Sequence, residues 1–221
     1  MDSLTVDRQL GREVAKALRI AGLETPMTDE VDVVRFAAVE KHVAQILSEL
    51  NLDLKDDSLK RTPSRVAKMY IGEVFWGLDY NNFPECTTIL NKMRYDEMVS
   101  QRASVMSMCE HHLVPFTGIA HVGYLPATKV IGLSKINRVV DFFSRRPQVQ
   151  ERLTAQIHLA LTHILECEDI AVVIQAEHLC VKLRGVRDEL SYTVTSKMGG
   201  RFMSNPALRE EFLALTRNNH R

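Results

Sequence analysis

The sequence predicts an α+β chain, an antiparallel β-sheet backed by two helices with a helical region in front, and three observations predict it. Up to about residue 95 the apolar residues recur at three- and four-residue steps, the spacing of a helical stripe. From about residue 99 the texture changes, with β-rich segments at 101–108 and 118–125, a helical stretch at 135–166, and further β-rich segments at 170–182 and 190–196. Pro147 cuts that helical stretch in two, so the order reads strand, strand, helix, helix, strand, strand. The chain accordingly divides into an N-terminal helical region at 1–95 and a sheet domain at 96–221.

Taken in order, residues 5–20 read as an amphipathic helix, which Gly22 and Pro26 end before an acidic linker around Asp29, Glu30 and Asp32. Phe36, Val39, Val43, Ile46, Leu47 and Leu50 fall on one stripe of a second helix, a core or interface face. Thr62 as N-cap and Pro63 in the first turn open a third helix, which presents Val66, Met69 and Val74 and ends at Gly77. Ile136, Val139, Val140 and Phe143 line the fourth, and Val149, Leu153, Ile157, Leu161 and Ile164 the fifth. A small antiparallel sheet leaves edges to be completed by neighbouring subunits, so an oligomer is expected.

Composition excludes several classes of function. Twenty-eight basic residues balance twenty-eight acidic ones, so no global field draws the chain to nucleic acid or to an anionic membrane surface. No apolar run approaches the roughly 20 residues that span a bilayer. Asp2, Asp7 and Glu13 interleave with Arg8 and Arg12 without a following apolar stretch, unlike a targeting peptide, and a cytoplasmic location is expected. In a reducing compartment Cys86 and Cys167, which have no histidine beside them, read as packing residues.

Cys109 is different, because Cys109-Glu110-His111-His112 places a thiolate donor and two imidazoles within four residues. Burying a packing cysteine there would bury three polar neighbours in need of partners. A Cys-x-x-His pair grips one metal ion from a tight turn, and Cys180, in His178-Leu179-Cys180, supplies a third donor. Structural zinc usually takes four protein ligands, whereas three with an open position bind and acidify water, which points to hydrolysis. Cys109 and His112 would face opposite ways on a regular strand, so the chain must turn there, and Pro115 and Gly118 allow it. If 170–182 is a strand, His178 and Cys180 share a face, with Arg184 following. Spacing alone does not choose between His111 and His112. The i,i+3 relation favours His112 as ligand and leaves His111 and His178 free to move protons.

A second constellation is basic. Arg65 and Lys68 lie one turn apart near the start of the third helix, where cations oppose the helix dipole and an anion would relieve the conflict, although a solvated face has the same appearance. Ser134, Lys135 and Arg138 flank the start of the fourth helix, with Ser134 as N-cap and free amide groups suited to phosphate, a pattern that ordinary capping also produces. In Gln150-Glu151, at the start of the fifth helix, the carboxylate is favoured by the dipole and could also accept paired hydrogen bonds from a guanine ring N–H and amine.

Together the strings Thr62-Pro63-x-Arg65-Val66-Ala67-Lys68-Met69, Cys109-Glu110-His111-His112, Ile131-Gly132-Leu133-Ser134-Lys135-Ile136-Asn137-Arg138, Arg146-Pro147-Gln148-Val149-Gln150-Glu151-Arg152-Leu153 and His178-x-Cys180-Val181-x-x-Arg184-Gly185 closely resemble GTP cyclohydrolase I, from about Leu52 to the C-terminus. The resemblance implies a tunnelling fold (T-fold), a homodecamer of two face-to-face pentameric rings and active sites between subunits. It implies zinc-dependent conversion of GTP to 7,8-dihydroneopterin triphosphate with loss of formate, the first step of tetrahydrofolate and pterin biosynthesis. By position it makes Cys109, His112 and Cys180 the zinc ligands, and His111 and His178 the proton-handling pair. Glu151 reads guanine with the help of Gln150, and Arg65, Lys68, Ser134, Lys135, Arg138 and Arg184 surround the triphosphate. Tyr192, Val194 and Lys197 depart from relatives that run to Thr and Ser there. Two other readings compete. A zinc-stabilised scaffold would use Glu110 as a fourth ligand, and a purine deaminase would need His-x-Glu and Pro-Cys-x-x-Cys patterns that the chain lacks.

Overall fold

The computed structural model describes residues 5–28 and 36–217, and the expected acidic linker at Asp29, Glu30 and Asp32 lies outside them. Helices α1 (Arg8–Ile20), α2 (Phe36–Glu49) and α3 (Thr62–Met69) come first, followed by strands β1 (Thr88–Leu90), β2 (Val99–Cys109), β3 (Pro115–Tyr124) and β4 (Lys129–Ile131). Helix α4 (Leu133–Ser144), the short β5 (Pro147–Gln148) and α5 (Gln150–Leu165) lead to β6 (Ile170–His178), the single turn α6 (Leu179–Lys182), β7 (Thr193–Met198), α7 (Gly200–Ser204) and α8 (Pro206–Arg217).

The sheet order is β5-β2-β3-β6-β7, antiparallel throughout except for β5, which lies parallel to the end of β2. In β2 the buried Ala103, Val105 and Ser107 alternate with exposed Arg102, Ser104 and Met106, the pleat of a strand with one covered face. That face receives Ile136, Val139, Val140 and Phe143 from α4 and Leu153, Ile157, Leu161 and Ile164 from α5, all within one hydrophobic cluster. The expected antiparallel sheet backed by two helices is therefore present, and the chain has the α+β tunnelling fold. A smaller cluster, in which Phe202 of α7 and Phe212 of α8 meet Ala171 and Val173 of β6, covers part of the other face. Among the described residues no helix is long and apolar enough to cross a membrane.

The front of the chain joins the same core. Asp7 caps α1 by accepting from the Leu10 amide at 2.9 Å, and Val14 and Leu18 are buried with Phe83 against the sheet domain. Arg146, just before β5, is fully buried. Its guanidinium donates to Tyr80 Oη (3.1 Å), Thr25 Oγ1 (3.4 Å) and the Gly77 carbonyl, and lies 4.7–5.1 Å from the ring centres of Tyr80, Phe142 and Phe143. No carboxylate pairs with it among the described residues. Desolvated cation–π contacts, each worth about 2 kcal/mol, stand in for the counter-charge and tie the 76–80 segment to α4. Gly77 belongs here by necessity, since a Cβ would overlap the Phe142 carbonyl.

Several boundaries differ from expectation. Thr62 is not the N-cap of α3. Arg61 holds that position without a side-chain bond, and Thr62 and Pro63 are the first two helical residues. The helix does not run to Gly77 either, because it widens into a π turn at Tyr70–Val74 and stops at Phe75. Ser134 is likewise inside α4, whose N-cap is Gly132. The β-rich stretch at 170–182 ends as a strand at His178, where the chain turns into α6, so Cys180 is on a helical turn and not two places along a strand.

His158 on α5 sets a pH limit on this fold. It is 7% exposed, and its Nε2–H donates to the Ile170 carbonyl at 3.1 Å. Burial holds its pKa below the ordinary 6.5, opposed by the Ile170 bond and assisted by nearby Lys197. The unfolded chain therefore binds a proton before the native one does, so stability is complete above about pH 6.5 and falls as pH drops from there through the native pKa. His158→Gln, which keeps a donor for Ile170, is expected to flatten that fall in denaturant titrations, and an unchanged slope would contradict this.

Candidate metal centre and active site

Strand β2 ends at Cys109, and the chain reverses at once. The amides of His112 and Leu113 donate back to the Cys109 carbonyl (3.4 and 2.8 Å), and Leu113 takes a left-handed φ of 50°. This is the turn that a Cys-x-x-His grip demands. On the other side, α6 lifts Cys180 off the end of β6. The donor atoms of Cys109, His112 and Cys180 lie within 4.8 Å of one another, and Cys109 Sγ is 3.8 Å from His112 Nδ1. A tetrahedral ion with Zn–S and Zn–N bonds of about 2.3 and 2.0 Å has donor-to-donor edges of roughly 3.5–3.8 Å, which the Cys109–His112 separation matches and the full set approaches.

Its electrostatics fit as well. Burial pushes the Cys180 thiol above its ordinary pKa, and the Cys109 thiol beside it pushes further, against a smaller lowering by Arg184. Two adjacent sulfurs that resist sharing negative charge are what a divalent cation stabilises by converting both to thiolates.

Glu110, the candidate fourth ligand, is engaged elsewhere. Its carboxylate accepts two bonds from Arg152 on α5 (2.6 and 3.3 Å), and its amide donates to the Gln148 carbonyl on β5 at 3.0 Å. Among the described residues no acidic side chain joins the three donors. Arg152 has no local signature of this role, because its partner lies forty-two positions away.

The other predicted residues divide between two places. His111 is exposed, with Nδ1 3.8 Å from Cys109 Sγ. Arg184 Nη1 lies 2.8 Å from His112 Nε2. His178, at the end of β6, stacks on Phe116 (ring centres 4.6 Å apart, planes 12° apart) and donates to Gln150 Oε1 at 2.8 Å. Burial lowers its pKa, while the neighbouring Glu151 carboxylate favours the charged ring. Glu151 is exposed in the first turn of α5. Gln150 is 2% exposed, and its amide donors are spent on Ile174 O, Thr193 O and Thr195 Oγ1.

Ser134, Lys135 and Arg138 are elsewhere. Asn137, between the two basic residues, accepts from Gln101 at 3.0 Å, and Gln101 is eight residues before Cys109 on β2. At the rise of a strand that separation is about 26 Å, longer than a GTP molecule. Arg65 and Lys68 are exposed on α3, which packs against α2. The start of α4 is thus remote from the Cys109 turn along β2, while α3 has its main packing on α2.

The sequence profile of the GTP cyclohydrolase I family matches residues 39–217. A protein of Shewanella denitrificans named GTP cyclohydrolase 1 is 56% identical over 204 residues, which cover 91% of this chain and 94% of its own. Its namesake in Shewanella loihica is 53% identical over 209 residues, covering 93% and 98%, and that of Shewanella sp. strain ANA-3 is 55% identical over 204 residues, covering 91% and 94%.

Proposed function

From the premise that this chain belongs to the GTP cyclohydrolase I family and is a GTP cyclohydrolase, we propose that it converts GTP to 7,8-dihydroneopterin triphosphate and formate with a zinc ion held by Cys109, His112 and Cys180. The observation that carries the metal assignment is the three-donor cluster from which Glu110 is withheld by Arg152. When bound, zinc supplies a Lewis acid that brings the pKa of water toward about 7.

The chain's own residues do the rest. Glu151 accepts the ring N–H and amine of guanine, which fixes the purine with its imidazole edge toward the Cys109 turn. His111, exposed beside that turn, donates a proton to the imidazole nitrogen as water adds to C8, and the ring opens. A second hydration cleaves the resulting formamide and releases C8 as formate, with His178 taking up a proton, and the opened ribose isomerises to a ketone that condenses with the freed amine, losing water, to close the pyrazine ring. Arg184 approaches the triphosphate from the metal side, while Ser134, Lys135, Arg138, Arg65 and Lys68 hold it from the other, positioning without entering the bond changes.

Because Gln101, which bonds Asn137 beside Lys135 and Arg138, is about 26 Å along β2 from Cys109, each site is composed of the metal end of one copy and the α4 start of another, and the family resemblance makes the oligomer a homodecamer. Exposed Phe36 and Ile46 on α2 and Leu50 just after it, at 40%, 59% and 64%, support an oligomer that covers them. The direct test is to incubate the protein with GTP before chelation, after chelation and after zinc is restored. Formate and an oxidisable, fluorescent pterin are expected to appear, vanish and reappear in equal amounts, and formate release by the chelated protein would refute the metal's part.

A further inference from the structure

Gln150 is the most constrained polar side chain near the site, and its surroundings fix which way it faces. Its Nε2 lies 3.0 Å from Ile174 O and 3.1 Å from Thr193 O, two carbonyls that can only accept. The amide nitrogen must point to them, so Oε1 is the atom that faces His178 Nε2 at 2.8 Å. Oε1 can only accept, and His178 Nε2 must therefore carry its hydrogen. The amide is locked from behind as well. Thr195 Oγ1 on β7 accepts from Nε2 at 3.1 Å and lies 2.6 Å from Thr154 Oγ1, which donates to the Gln150 carbonyl at 2.8 Å. Phe116 stacks on one face of the imidazole.

We infer that Gln150 is a positioning residue that holds His178 as the Nε2–H tautomer, so that Nδ1 is the only atom through which this histidine can accept a proton. The sequence put Gln150 beside guanine, but a side chain whose donors are all engaged inside the chain acts on the substrate through His178. The two histidines then divide their work. Exposed His111 is free to deliver a proton, and His178 has only Nδ1 left with which to exchange one. The inference rests on the reading of His178 as a proton-handling residue.

The test uses the zinc-loaded oligomer with 15N-labelled histidine, at a pH where a free imidazole is neutral. The His178 resonances, assigned by their loss in His178→Asn, are expected to show a protonated Nε2 and a bare Nδ1, and a bare Nε2 would overturn the inference. Gln150→Met is expected to mix the tautomers and lower kcat by about 10- to 100-fold, the usual effect of losing an orienting partner, with zinc content and KM for GTP unchanged. A raised KM at unchanged kcat would instead make Gln150 a guanine contact. If Gln150→Met does not fold, Thr195→Val removes one anchor and is expected to move tautomer and kcat in the same direction by less. No movement in either would refute the anchoring. Normal turnover in His178→Ala would remove the histidine from the chemistry and sink the underlying reading, whereas a wrong tautomer sinks this inference alone.

Discussion

Cys180→Ser is expected to abolish metal binding and formate release together. A hydroxyl is a poor replacement for a thiolate, and only two good donors remain on the turn at Cys109–His112. Lewis-acid assistance is worth several kcal/mol, so turnover should fall by a thousandfold or more, at roughly 1.4 kcal/mol for each factor of ten. Folding should survive, because Cys180 sits on a single partly exposed turn at the periphery of the core. His111→Ala provides the contrast. It leaves all three donors in place, so zinc should stay stoichiometric while turnover drops by about 10²- to 10⁴-fold, the range for a lost general acid. Zinc analysis and formate assay on the two purified variants separate the cases, and a metal-free Cys180→Ser protein that still released formate would rule the metal-dependent route out.

The double substitution Lys135→Ala with Arg138→Ala is expected to do the reverse. These side chains are at the start of α4, far from Cys109 along β2, so zinc content should be untouched. Each lost charge-assisted contact to phosphate removes about 1.5–3 kcal/mol, and together they should reduce kcat/KM for GTP by at least a hundredfold. A KM rise with kcat nearly retained would mark the contacts as equally strong before and during ring opening. A fall in kcat would show that they tighten as the reaction proceeds. Unchanged kinetics would take the α4 start out of the site.

How much of this was legible in the sequence follows from the range of the interactions involved. The apolar spacing of Ile136, Val139, Val140 and Phe143, and of Leu153, Ile157, Leu161 and Ile164, reports a local period, and those residues do face the sheet. The turn after Cys109 was legible because a metal grip at that spacing allows no straight strand. The end of β6 was not, because Leu179-Cys180-Val181 continues the apolar run of the strand and no Gly or Pro marks the place where it turns into α6. The N-caps of α3 and α4 were misplaced by one and two residues, since Thr62 and Ser134 have favourable chemistry and the backbone turns before reaching them. Gln150 gives no local sign of its internal partners, because Ile174, Thr193 and Thr195 are twenty-four to forty-five residues away. Arg146 had no sequence signature of burial, as the rings that hold it come from the 76–80 segment and from α4.

The claim on which the account depends is that a working site takes its metal and its phosphate grip from different copies of the chain. Co-expressing Cys109→Ser with the Lys135→Ala, Arg138→Ala chain, assayed at GTP well below KM where each alone is expected to have about a hundredth of wild-type activity or less, measures this. Random mixing leaves one site in four with both halves intact, so the mixed oligomers are expected to regain about a quarter of wild-type formate release. Mixed oligomers as inactive as their parents would contradict it and place both halves of every site within one chain.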